Sequence, residues 1–126
     1  MSKETVFGKT CITAVKLIAD EKTDPEKAWK KSIQVYTHSP KTQIKSCPKN
    51  VFVDLCASGY IKGIKKQNDI ALSENGKISI EAINILKTDN WKIKSKSKFW
   101  SENFDRSHQG QLDVILALKE NNLLVD

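Results

Sequence analysis

Arginine is almost absent from this chain of 126 residues: of 21 basic residues, only Arg106 carries a guanidinium. The planar fork that grips phosphates and base edges through paired hydrogen bonds is therefore available once. Cysteine is sparse and odd in number, 3 in all, which argues against a disulfide framework and leaves Cys11, Cys47 and Cys56 as reduced thiols. No run of about 18 apolar residues occurs, and Lys3, Glu4, Lys9 and Lys16 break up the amino-terminal segment. Neither a membrane span nor a signal-peptide core is expected, and the chain reads as cytoplasmic with no membrane partner. There are 2 histidines, no glycine-rich phosphate loop, no HExxH and no GxSxG. Unanchored pairs such as His108 with Asp113 are all that remains for catalysis, so a non-enzyme without a cofactor is expected. A metal site would require His38, Cys47, Cys56 and His108 to converge without any close ligand pair, the usual signature of structural zinc.

What is present is lysine. The formal charge is +6 and the isoelectric point about 9.2, a balance that attracts phosphate or an acidic protein surface. Isoleucine and asparagine are abundant too, so biased codon composition is a second source of the same excess. At 14.2 kDa the chain is sized for one domain spanning residues 1–126, large enough to bury a core unaided.

The apolar residues Phe7, Cys11, Ala14, Val15 and Ile18 share one face of a helix. Asp24-Pro25-Glu26 then supplies a cap, a proline suited to the first turn and a carboxylate at the positive helix end. That second helix carries Trp29, Ile33 and Tyr36, and it should stop before His38-Ser39-Pro40. After a polar loop through Lys45, Pro48 opens a third helix with Val51, Phe52, Leu55 and Cys56. Gly59 closes it in a left-handed turn, and Tyr60 and Ile61 fold back on it. The connector from Lys62 to Lys77 holds turn signals at Gly63, Asn68, Asp69 and Asn75-Gly76, with room for a short extended hairpin.

Beyond the connector the same order recurs. Ala14, Val15, Leu17 and Ile18 match Ala82, Ile83, Ile85 and Leu86 at an offset of 68 residues. Ala28, Trp29 and Ile33 match Phe99, Trp100 and Phe104 at 71. Val51, Phe52, Leu55, Gly59, Tyr60 and Ile61 match Val114, Ile115, Leu118, Asn122, Leu123 and Leu124 at 63. The expectation is an all-α fold of about six helices in two pseudo-repeated three-helix halves, roughly 1–64 and 73–126, with Trp29 and Trp100 as paired core anchors.

A third helix closing in Ala-Ser-Gly-Tyr-Ile or Glu-Asn-Asn-Leu-Leu resembles the end of helix-turn-helix and winged-helix domains. The resemblance implies that the starts of the third helices face DNA, with Lys45, Ser46, Lys49 and Asn50 in one half and His108, Gln109 and Gln111 in the other. Ordinary solvated helix starts, with Ser46 or Ser107 as caps, explain the same residues. A separate basic track runs through Trp91-Lys92-Ile93-Lys94-Ser95-Lys96-Ser97-Lys98-Phe99-Trp100, where four lysines interleave with rings as in single-strand binders. An exposed basic loop ahead of a helix is the preferred reading, because Phe99 and Trp100 match core positions of the first half. A nucleic-acid-binding accessory protein is the first functional expectation, and a module that sequesters an acidic protein partner is the alternative.

The segments Cys47-Pro48-Lys49, Leu55-Cys56, Gly59-Tyr60-Ile61-Lys62-Gly63-Ile64 and Gln111 to Leu118 resemble a family of small bacterial and phage proteins of unknown function. That similarity spans most of the chain and implies a helical domain, and it assigns no functional residue.

Overall fold

The computed structural model describes residues 5–67 and 71–125, and these form seven helical segments with no strand. They are α1 (Val6–Glu21), α2 (Pro25–Tyr36), α3 (Pro40–Gln43), α4 (Ser46–Ala57), α5 (Glu74–Thr88), α6 (Lys96–Phe104) and α7 (Gln111–Glu120). Six are the helices expected from the sequence. The seventh, α3, is a single turn inside the loop that precedes α4, and it repeats the chemistry that starts α2. Ser39 Oγ accepts from the Thr42 amide at 3.3 Å just before Pro40, as Asp24 accepts from Lys27 at 3.3 Å just before Pro25.

The connector differs more from its expectation. Asn75-Gly76 is no turn, because α5 already starts at Glu74. Ser73 caps that start by accepting from the Gly76 amide at 3.1 Å, and Asp54 on α4 fixes Ser73 through both its amide (2.8 Å) and its hydroxyl (2.5 Å). Glycine is needed at position 76 for this close approach, since a Cβ there would lie 2.2 Å from the Asp54 carboxylate. The turn signals Asn68 and Asp69 lie outside the described residues. Among the described residues there is no hairpin, and one isolated antiparallel bridge pairs Ile61 with Leu124.

The local rules that set each helix recur at the offsets of the repeat. Thr5 capping Gly8 (3.0 Å) and Ser73 capping Gly76 (3.1 Å) stand 68 residues apart. Asp24 and Ser95, which cap α2 and α6, stand 71 apart. α4 ends with Gly59 at φ +80° and a Tyr60 amide bonded to Leu55 O at 3.1 Å. α7 ends with Asn122 at φ +57° and a Leu123 amide bonded to Leu118 O at 2.8 Å, the same closing turn with asparagine tolerated in the left-handed region.

Packing follows the same exchange. α1 lies against α7, α5 lies against α4, and α4 and α7 touch each other, so each half's first helix rests on the other half's third. Where the halves join, the Lys62 amide donates to Leu123 O (2.7 Å) and the Val125 amide donates to Tyr60 O (2.9 Å). Swapping the halves turns one of these bonds into the other. Trp29 and Trp100 are both fully buried, Trp29 against Phe52 at 5.5 Å and Trp100 against Phe104 at 4.7 Å. Together with Leu55, Ile83, Ile115 and Leu118 they form one core.

Candidate functional site

α4 and α7 run side by side with their amino ends together, since Gly110 approaches Pro48 and the bridge joins the chain just past their carboxyl ends. The residues expected to face DNA therefore meet, but most are spent on the fold. Every residue from Gln111 to Leu118 is buried, so α7 presents no face that could enter a groove. Gln111 is placed as a core amide: it is 2 % exposed and its Nε2 donates to Asn75 Oδ1 at 3.0 Å. Its Oε1 accepts from the Gln109 amide at 2.6 Å. His108 is half-buried, and its Nε2 accepts from the Leu112 amide at 2.9 Å, so it and not Ser107 holds the start of α7.

In the first half, Lys45 stands over the Phe7 ring at 5.7 Å, and Lys49 turns toward Glu26 on α2 at 3.9 Å. Ser46 is exposed and makes no cap bond, while Asn50 is half-buried. α7 is enclosed from Gln111 to Leu118, whereas the start of α4 stays partly exposed, and no strand stands beside them among the described residues.

The basic track divides. Lys96 leaves it, turning inward to form an ion pair with Asp113, which is largely buried on α7. Lys92, Lys94 and Lys98 are exposed, and their side chains make no ion pair or hydrogen bond among the described residues. They line a groove of about 330 Å³ between α5 and α6, together with Ile85, Ile93 and Phe99 and the acidic Asp89 and Glu102. Its origin lies in the connection: the α5–α6 link, residues 89–95, is four residues longer than the α1–α2 link, residues 22–24. α2 packs along α1, and α6 has no comparable packing on α5. Ile85, whose register match places it with the core face, is left 38 % exposed on this opening. Local spacing gives no sign of the groove, because the gap exists only between helices.

The aromatic rings flanking the track are not free to stack on bases. Trp100 is fully buried, and Trp91 is half-buried beneath Lys119 at 5.3 Å. Phe99 alone reaches the groove, edge-on to Phe104 at 6.4 Å.

A second opening, of about 380 Å³, lies between α2 and the α3–α4 link, lined by Ile33, Ile44, Lys30 and Lys49 among others. Ile44 is 80 % exposed. Lys30 and Lys49 both reach Glu26 there, at 3.2 and 3.9 Å, so their charge is partly met within the molecule.

The thiols offer no nucleophile in the core. Burial, aided by Cys56 nearby, pushes the Cys11 thiol up, and burial with Asp24 nearby pushes Cys56 far up, so both stay protonated. No group of three metal-ligating side chains converges among the described residues, and none of their helices is long and apolar enough to cross a membrane.

No curated protein and no solved structure matches the chain. The model of a family of unknown function (DUF6979) matches residues 1–125, and the chain belongs to that family.

Proposed function

We propose that this protein is a non-catalytic binding module that docks an acidic polypeptide segment in the groove between α5 and α6. The observation that carries the reading is the set of three exposed lysines, Lys92, Lys94 and Lys98, without an ion pair among the described residues and set around the apolar patch of Ile85, Ile93 and Phe99. Carboxylates of a partner would meet the ammonium groups, and an apolar side chain between them would cover the isoleucines, the usual pairing of polar rim and apolar centre. A peptide suits this opening better than a nucleic acid does. Single-strand binders need exposed rings in series and favour arginine, whereas here both nearby tryptophans are covered and Arg106 lies outside the groove lining.

The test is fluorescence anisotropy with two probes, a labelled peptide alternating glutamate and leucine and a labelled oligothymidylate, each across a salt series. The peptide is expected to bind, and the triple variant Lys92→Glu, Lys94→Glu, Lys98→Glu should weaken it at least about tenfold. Lys45→Glu with Lys49→Glu should leave it unchanged. Tighter binding of the oligonucleotide, with a steep salt slope abolished by the same triple variant, would move the function to nucleic acid.

A further inference from the structure

We infer that His108 is a pH-responsive cap on the central helix α7, holding the helix start as a neutral imidazole and releasing it on taking a proton at Nε2. α7 has no other side-chain cap: the residue before it is Gly110, at φ +97°, with no side chain to offer. The Leu112 amide is instead satisfied by His108 Nε2 at 2.9 Å, which requires the ring proton to sit on Nδ1. A second proton, on Nε2, sets a donor against a donor.

The surroundings oppose that proton. The groups facing the ring are Asp113 on α7, Lys96 at the start of α6 and Lys45 just ahead of α4. Asp113 favours the proton, but its carboxylate is already engaged by Lys96. Lys45 and Lys96 disfavour it, as do the paired positive ends of α4 and α7. The indole of Trp100 stands edge-on at 5.8 Å, removing water from one side of the ring. Burial first, then the two lysines against Asp113, hold the His108 pKa below its ordinary value.

The sign of the coupling follows. The unfolded chain takes the proton near pH 6.5, and the folded chain takes it only at lower pH. The cap therefore stabilises fully above that range and is lost as pH falls through the depressed folded value. Because α7 packs against α1, α4 and α5, the helix start that opens is the one on which both halves rest.

The experiment uses the full chain and two NMR readouts between about pH 7.5 and pH 5: the ring nitrogen shifts of His108, and exchange of the Leu112 amide corrected for its intrinsic pH dependence. The expected result is a neutral Nδ1–H tautomer at the upper end and a corrected exchange rate about tenfold faster at the lower end, in step with ring titration. His108→Asn, an acceptor that does not titrate, should flatten the profile, and His38→Asn, at an exposed position, should not. A Leu112 amide that stays equally protected while the wild-type ring becomes protonated overturns the inference, and that reading needs no variant to fold. An unchanged pH profile in His108→Asn overturns it too.

Discussion

The two halves of this molecule follow the same local instructions and end in different surfaces. In the first half α2 closes along α1, and the extra length sits between α2 and α4, where the offset falls from 71 to 63 and the chain inserts α3. Ile44, in that insertion, is 80 % exposed, and Val35 near the end of α2 is 69 % exposed. In the second half the extra length sits between α5 and α6, and α6 stands away from α5. Where the repeat holds, residues serve the core. Where it breaks, chain length that the core does not need forms openings, as loops on a rigid scaffold commonly do.

The comparison breaks first if the tryptophans are unequal anchors. Trp29→Ala and Trp100→Ala should each cost about 4 kcal/mol by denaturant unfolding, as for other buried aromatics; a cost under half that at position 100 would mean the second half is held by other means. Gly76→Ala comes next. It should cost about 3 kcal/mol because its Cβ meets the Asp54 carboxylate, and Asp54→Ala should restore part of that loss in the double variant.

Lys96 and its neighbours sharpen the division of the basic track. Lys96→Ala strands the largely buried Asp113 and should cost about 2 kcal/mol, between an exposed and a fully buried pair. Alanine at Lys92, Lys94 or Lys98 should change stability by less than about 0.5 kcal/mol each. A further pair of variants compares the two closing turns. Asn122→Gly, at φ +57°, should stabilise by about 0.5 kcal/mol, and Gly59→Ala, at φ +80° with the Lys66 side chain 3.1 Å away, should destabilise by about 1 kcal/mol, both read as shifts in the unfolding midpoint.

Local chemistry made most of the fold legible. Asp24-Pro25 starts α2, Gly59 ends α4, and the matched registers foretell which helices correspond, because caps and apolar stripes act within a few residues. Asn75-Gly76 misleads because Ser73 is fixed by Asp54, 19 positions earlier, a contact no local pattern records. The site was legible in part. The track from Lys92 to Lys98 is visible as alternation, yet only the fold separates Lys96, which reaches Asp113, from the three lysines that stay in water. The start of α7 is the least legible part, since Gln111 looks solvated in the sequence and is buried by packing, whereas Gln109 beside it stays exposed.

The most direct measurement is a chemical-shift map of the full chain titrated with the glutamate–leucine peptide. Saturable shifts confined to Ile85, Asp89 and the stretch from Lys92 to Phe99 are the predicted result. Shifts centred on Lys45 to Asn50, shifts centred on Val35 and Ile44, or no saturable shift at all would contradict docking in the groove between α5 and α6.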